Sequence, residues 1–91
     1  MPAYRLLIEE ELKASLKKLF KKNRTLYDAV LNKAEEILDN PQRYKPLRHD
    51  LKGLRRVHLE KSFVLVFEVD EKNKVVKLVD LRHHDEIYRR K

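Results

Sequence analysis

The spacing of apolar residues changes once along the chain, near its middle. Before position 40 they recur every three or four residues, which predicts two helices that each bury one face. The first stripe is Leu12, Leu16, Leu19 and Phe20, and the second is Leu26, Val30, Ala34 and Ile37. From Leu54 onward the period becomes two, which is typical of strands. The pattern therefore predicts a helical part followed by a meander of strands.

Local signals set the limits of the helical part. Residues 4–8 form a short apolar run that predicts a first strand, and three glutamates at positions 9–11 then suit the first turn of a helix. Residues 23–25 break the pattern, with Thr25 as the predicted N-cap of the second helix. Pro41 cannot extend that helix and ends it. Because the link is short, the helices should pack as an antiparallel hairpin.

The second half predicts three strands. Alternation over residues 54–60 directs Val57 and Leu59 to one side and Arg56 and His58 to the other. Residues 63–69 are almost all apolar, as in a central strand covered on both faces, and residues 75–81 form the last strand. Hairpin-linked strands pair antiparallel. We therefore expect one α+β domain over residues 1–91, with an N-terminal strand and a two-helix hairpin on one face of a small antiparallel sheet and a short C-terminal helical tail.

Charge is concentrated as well as abundant. The chain has a formal net charge of +7, and 41% of its residues are charged. Residues 41–61 contain seven lysines and arginines against two acidic residues. Such a patch favours binding to nucleic acid, an anionic membrane or an acidic protein. The single glycine, Gly53, falls within it and predicts the turn that leads into the strand carrying Arg56 and His58.

Several classes of protein are disfavoured. There is no cysteine, so disulfides, thiol catalysis and cysteine-based zinc sites are excluded. The N-terminal residues have no apolar segment typical of a signal peptide, and no apolar run approaches the ~18–20 residues of a membrane span. We therefore expect a cytoplasmic protein without a membrane partner.

The candidate chemistry lies on the strands. Because the second and fourth strands flank the third, side chains near their ends can converge on one cleft. The candidates are Arg56, His58, Arg82, His84 and Tyr88. RNA cleavage by attack of a 2′-hydroxyl on its neighbouring phosphate requires a general base, a general acid and cations, but no metal or cofactor. Histidine and arginine suit these roles, although the same residues fit passive RNA binding or an ordinary solvated surface.

A metal site is the weaker alternative. His83, His84, Asp85 and Glu86 supply ligand types. Adjacent residues of an extended chain point in opposite directions, however, so shared ligation by this run is unfavourable.

Three stretches, in this order and spacing, resemble the RelE/ParE superfamily of toxins from toxin–antitoxin modules. They are Lys45-Pro46-Leu47 followed by Leu51-Lys52-Gly53-Leu54-Arg55-Arg56-Val57-His58, then Phe63-Val64-Leu65-Val66-Phe67-Glu68-Val69, and finally Leu81-Arg82-His83-His84-Asp85-Glu86-Ile87-Tyr88. The resemblance covers essentially the whole chain. It implies a ribosome-dependent mRNA endonuclease, an mRNA interferase that inhibits translation and is bound in a hetero-oligomer by a RelB-like antitoxin.

The resemblance also implies roles for particular residues. Arg56 and His58 fall where RelE-type toxins carry two basic residues, and His58 also matches a catalytic histidine of the YafQ-type branch. Arg82 matches a phosphate-binding arginine, and His84 and Tyr88 match a C-terminal histidine and aromatic residue. On this interpretation Lys45, Lys52 and Arg55 contact the backbone of rRNA or mRNA.

The chain departs from the family pattern at the start of the third strand. Many relatives have an arginine there, whereas this chain has Ser62-Phe63-Val64-Leu65. This departure keeps open a binding module for an antitoxin peptide with weak catalysis. The ParE branch shares the fold but acts on DNA gyrase, and the presence of both His58 and His84 argues against it.

Overall fold

In a computed structural model of the chain, residues 3–46 and 53–83 are described, and they form two helices on a four-stranded sheet. The elements in chain order are β1 (Arg5–Ile8), α1 (Glu10–Lys22), α2 (Arg24–Asp39), a 3₁₀ turn (Pro41–Arg43), β2 (Leu54–Leu59), β3 (Phe63–Asp70) and β4 (Val75–His83). The predicted α+β class and element order are confirmed. The last strand was predicted to end at residue 81, but β4 continues to His83. The rest of the predicted C-terminal helical tail lies outside the described residues.

One asparagine joins the two helices. The Asn23 backbone N–H donates to the Leu19 carbonyl at 2.8 Å, which closes α1, and its side-chain Oδ1 accepts from Leu26 N–H at 3.1 Å, which opens α2. The N-cap predicted at Thr25 is therefore wrong, because Asn23 already satisfies the exposed N–H group and Thr25 lies inside the helix. At the other end, α2 stops at Asp39, in front of Pro41, as predicted.

The sheet has the strand order β1-β4-β3-β2. The two hairpins pair β2 with β3 and β3 with β4 in antiparallel fashion, as expected. The sheet is mixed rather than wholly antiparallel, however, because β1 joins β4 in parallel. The hairpin argument fixes direction only for strands joined by tight turns, and β1 reaches the others through both helices.

The core lies between the helices and one face of the sheet. Val30 and Ile37 of α2 pack with Leu65 and Phe67 of β3 and with other apolar side chains, and all four of these residues are fully buried. Val57 and Leu59 of β2 join the same cluster, as the alternation predicted. Neither helix in the described part of the chain has the length and apolar character needed to cross a membrane.

Gly53 leads into β2 with a φ of +81°, in the left-handed region that favours glycine. An added Cβ would meet only the Glu68 side chain, at 3.9 Å, so backbone conformation rather than space requires the glycine. The turn predicted at this position is thus supported by the geometry of the residue.

Candidate functional site

The candidate residues of β2 and β4 lie on the face of the sheet that is turned away from α1 and α2, called here the distal face. In the sheet register Arg56 pairs with Val66, which pairs with Asp80, and His58 pairs with Val64, which pairs with Arg82. Directly paired residues project to the same side of a sheet. Two cross-strand rows therefore carry Arg56, His58 and Arg82 on one surface.

The strand between the two charged strands supplies an apolar floor. Val64 and Val66 are buried, yet they do not belong to the cluster that packs against the helices. His58 and Arg82 are exposed, while Arg56 is half-buried and its Nε is shielded from solvent. Since neighbouring strands are ~4.8 Å apart, the backbones of His58 and Arg82 are separated by about 10 Å. Long side chains on both strands can reach across that width to a single phosphate.

A β-bulge in β4 determines which residues reach the distal face. Val66 pairs with Asp80 whereas Phe67 pairs with Leu78, so Val79 is an extra residue at a shift in register. A one-residue shift exchanges the faces of all residues beyond it. Without the bulge, Asp80 and Arg82 would point towards the helices.

The sequence analysis did not identify the bulge, although the pattern contains a signal for it. Lys77 is polar at an odd position, whereas Asp80 and Arg82 are polar at even positions. The phase of the alternation therefore changes at Val79, which is the mark of an inserted residue in a strand.

Asp80 is a site residue that the sequence analysis missed. Its Oδ2 accepts a hydrogen bond from Arg82 Nε at 2.9 Å, and its Oδ1 accepts from the Leu81 backbone N–H at 2.9 Å. Both carboxylate oxygens of Asp80 thus accept hydrogen bonds, one of them from Arg82, the residue that the family resemblance implies binds phosphate. Around Val64 and Val66, the distal face therefore combines three basic side chains with the carboxylate of Asp80.

The predicted RNA-binding residues are placed differently from one another. The backbone of Lys45 lies beside β2, where its carbonyl accepts a hydrogen bond from Arg56 N–H at 3.1 Å. Its side chain is exposed. Arg55 pairs with Phe67 on the helix-facing side, so it is not brought together with Arg56 and His58. Lys52 lies outside the described residues, as do His84 and Tyr88.

Arg55 instead connects β2 to the segment after α2. Its guanidinium donates to the Tyr44 carbonyl at 2.5 Å and to Gln42 Oε1 at 2.8 Å. Gln42 in turn donates to Glu71, which also accepts from the Tyr4 hydroxyl at 2.5 Å. These hydrogen bonds join distant parts of the chain near the C-terminal end of β3, whereas Val64 lies near its N-terminal end.

The same hydrogen bonds change the acidity of Glu71. Donation from Tyr4, then from Lys74 and Gln42, stabilises the carboxylate and lowers the pKa of Glu71 from its usual 4.5 to about 2. Glu71 lies at the hairpin between β3 and β4, so its lowered pKa affects the stability of the fold and not the chemistry of the candidate site.

His83 lies on the side of β4 opposite Arg82. It pairs with Phe63, and the two rings are in edge-to-face contact with centroids 5.5 Å apart. The structure therefore separates His58 from His83. Among the described residues, no group of three or more histidine, aspartate and glutamate side chains is arranged to hold a metal ion.

A second surface feature is a groove beside α1 and α2, with a volume of about 640 Å³. Its apolar lining is Ile8, Leu16, Phe20, Tyr27 and Leu31, and its basic lining is Lys13, Lys17, Lys18 and Lys21. Phe20 and Leu31 are among the large apolar residues left exposed on the described surface. A groove with an apolar floor and a cationic rim is suited to an amphipathic segment that carries negative charge.

Comparison with known proteins agrees with this architecture. Residues 6–88 match the family described as the ParE toxin of the type II toxin–antitoxin system parDE. A protein of Methanocaldococcus jannaschii, provisionally named toxin RelE4, is 51% identical over 88 residues, which cover 97% of this chain and 94% of that protein.

Two solved structures share the fold. The free form of a substituted Escherichia coli RelE toxin has a TM-score of 0.75 at 23% identity, covering 96% of this chain and 92% of that one. The Mycobacterium tuberculosis toxin–antitoxin complex RelBE2 contains a chain with a TM-score of 0.73 at 24% identity, covering 91% of this chain and 93% of that one. Together with the family match and the archaeal relative, they show that this chain belongs to the RelE/ParE superfamily of toxins from type II toxin–antitoxin systems.

Proposed function

We propose that the protein is an endoribonuclease that cleaves mRNA on the ribosome and thereby inhibits translation. The observation that carries this proposal is the pairing of His58 and Arg82 through Val64 on the distal face, with Arg56 in the next row. A titratable imidazole between two guanidinium groups is suited to a phosphodiester, because arginine matches phosphate oxygens and imidazole exchanges protons near neutral pH. Such a toxin acts in the cytoplasm, where ribosomes translate.

The reaction follows from the chemistry of RNA. A general base removes the proton of a 2′-hydroxyl, whose oxygen attacks the adjacent phosphorus. The bond to the 5′-oxygen then breaks, and a general acid protonates that oxygen, which leaves a 2′,3′-cyclic phosphate and a 5′-hydroxyl. Arg56 and Arg82 would stabilise the charge that develops on the phosphate. His58 is the described candidate for proton transfer, and His84 and Tyr88 keep their roles as sequence predictions.

Mapping of cleavage sites on translating ribosomes tests this proposal. We expect purified protein to cut mRNA, and His58→Ala to reduce the rate by about 100-fold or more, the contribution of a positioned acid or base. His83→Ala is a matched control, since His83 lies on the opposite side of the sheet. Cleavage that survives in a His58→Ala, His84→Ala double variant would remove both histidines from the mechanism.

A second candidate function is inhibition of DNA gyrase, which the match to the ParE family favours. Expression of the protein in cells distinguishes the two functions. DNA damage without mRNA cleavage would support the gyrase target, and mRNA cleavage without DNA damage would support the ribosome. Absence of both, together with tight binding of an antitoxin, would support a toxin-like binding module, the alternative suggested by the lack of an arginine at the start of β3.

We also propose that the partner is a RelB-like antitoxin that places an acidic amphipathic helix in the groove beside α1 and α2. The apolar side chains of Phe20 and Leu31 would contact its apolar face. Lys17 and Lys21 would attract its carboxylates and accelerate association. Lys17→Glu with Lys21→Glu should slow association and weaken its dependence on salt. A single charge reversal at Lys72, an exposed residue of the β3–β4 hairpin, should leave both unchanged.

A further inference from the structure

Asp80 lies among the basic side chains of the distal face and contacts one of them directly. It pairs with Val66, as does Arg56, so it occupies the end of one cross-strand row. Its neighbour on the same side of β4 is Arg82, two residues later. A carboxylate in this place weakens the attraction of the surface for RNA, so its presence calls for a physical reason.

The hydrogen bonds of Asp80 supply that reason. Oδ1 is fixed by the Leu81 backbone N–H, and Oδ2 accepts from Arg82 Nε, both at 2.9 Å. A carboxylate held by the backbone cannot rotate without losing a hydrogen bond, so it is a rigid acceptor. The bond uses the Arg82 Nε–H, which is the guanidinium donor nearest the main chain. Holding that donor restricts the plane of the whole guanidinium group.

We propose that Asp80 is a positioning residue for Arg82, which it orients to receive the scissile phosphate on the distal face. This proposal rests on the proposed RNA cleavage. An exposed arginine samples many rotamers, and the rotamers that must be lost to hold its guanidinium against the charge that develops on the phosphate in the transition state add to the barrier of the chemical step. A carboxylate that restricts those rotamers before the substrate arrives reduces that cost, at the expense of some electrostatic attraction. The effect of Asp80 should therefore appear in the rate of the chemical step and not in affinity for the RNA backbone.

The opposite interpretation, that Asp80 only lowers the local positive charge, predicts a different result. Removing the carboxylate would then strengthen RNA binding and increase cleavage at low substrate concentration. Glu68 provides the matched control for this charge effect. It is exposed on the distal side of β3, where it pairs with Leu54 and Lys77, and its removal changes the charge of the same face by the same amount.

Steady-state cleavage of ribosome-bound mRNA separates the two interpretations. For Asp80→Ala, and for Asp80→Leu in case the first variant does not fold, we expect kcat to fall by about tenfold or more with KM unchanged or lower, because neither side chain can accept the Arg82 hydrogen bond. Glu68→Gln should leave kcat unchanged. In an Arg82→Ala background, Asp80→Ala should have no further effect, because its contribution passes through Arg82. An unchanged kcat, or a full additional loss in the Arg82→Ala background, would overturn the proposal.

A second measurement does not require cleavage. The Arg82 Nε–Hε resonance should be dispersed in the wild type and in Glu68→Gln, and it should shift on titration with inorganic phosphate. In Asp80→Ala it should move towards the position of an unstructured arginine and respond more weakly. If the wild type cuts no RNA, the proposed function fails while this experiment still decides the role of Asp80. If the resonance is the same in Asp80→Ala and the wild type, Asp80 does not position Arg82.

Discussion

His58 and Arg82 stand opposite each other on the distal face, each paired with Val64 from a different side. They are 24 positions apart in sequence, and β3 is the element that brings them together. β3 is buried on both faces: Leu65 and Phe67 pack in the core, and Val64 and Val66 form the floor of the site. The same strand that stabilises the fold therefore sets the spacing of the candidate catalytic groups.

Arg55 and Arg56 are adjacent in sequence but project to opposite sides of β2, which leads to a contrast between their alanine variants. Arg55→Ala loses hydrogen bonds to Tyr44 and Gln42, so we expect the free energy of unfolding to fall by about 1–2 kcal/mol. Arg56→Ala should instead weaken binding of a non-cleavable single-stranded RNA and reduce the salt dependence by about 0.7 in log–log slope. Urea unfolding and salt titrations of binding measure the two effects. Equal losses of RNA affinity in both variants would contradict this division.

The link between the helices gives a prediction about stability. Asn23→Ala removes the side chain that caps α2, and we expect a loss of about 1 kcal/mol in the free energy of unfolding. Asn32→Ala is a matched control, because Asn32 is exposed within α2 and alanine favours a helix more than asparagine does. It should leave stability unchanged or raise it by a few tenths of a kcal/mol. Thermal or urea unfolding of both variants measures the difference, and an equal loss in both would argue against the cap.

Much of the fold follows from local patterns, for physical reasons. The helices are marked by period and by Pro41, and the hairpin strands by alternation and by Gly53. These signals act within a few residues, so a sequence displays them directly. The alternation also predicted correctly that Arg56 and His58 would lie away from Val57 and Leu59.

The features that local patterns did not predict depend on distant partners. The parallel direction of β1 is set by its pairing with β4, some seventy residues away, and not by any turn. The hydrogen bond from Tyr4 to Glu71 likewise joins residues 67 positions apart. Arg55 was predicted to bind RNA from its charge and from the resemblance to a family of toxins, while its side of the sheet and its contacts with Tyr44 and Gln42 depend on packing.

The acidity of Glu71 leads to a prediction about stability at low pH. Its pKa is lowered from 4.5 to about 2 in the folded protein, so the unfolded chain takes up the proton first as the pH falls. The stabilisation from Glu71 is therefore complete above pH ~5 and is lost progressively as the pH falls from there towards about 2. Glu71→Gln should remove this part of the pH dependence, as measured by urea unfolding between pH 2 and pH 6.

Tyr4→Phe provides the companion variant, because it removes the hydroxyl that contributes most to the lowered pKa and keeps the ring. Its stability should depend less steeply on pH than that of the wild type, but more steeply than that of Glu71→Gln. A Tyr4→Phe profile parallel to that of the wild type would show that the hydroxyl does not hold the carboxylate.

The bulge at Val79 gives the strictest test of the site. The presence of an extra residue at this position, and not the identity of its side chain, should determine which way Asp80 and Arg82 point. Deletion of Val79 would restore a regular ladder and turn Asp80 and Arg82 towards the helices. Burying these charged side chains in the core should lower the free energy of unfolding by more than about 3 kcal/mol. Val79→Ala keeps the extra residue and should cost only about 1 kcal/mol, with the cleavage rate preserved. Urea unfolding and cleavage assays compare the two variants, and a deletion variant as stable and as active as Val79→Ala would show that the bulge does not orient Arg82.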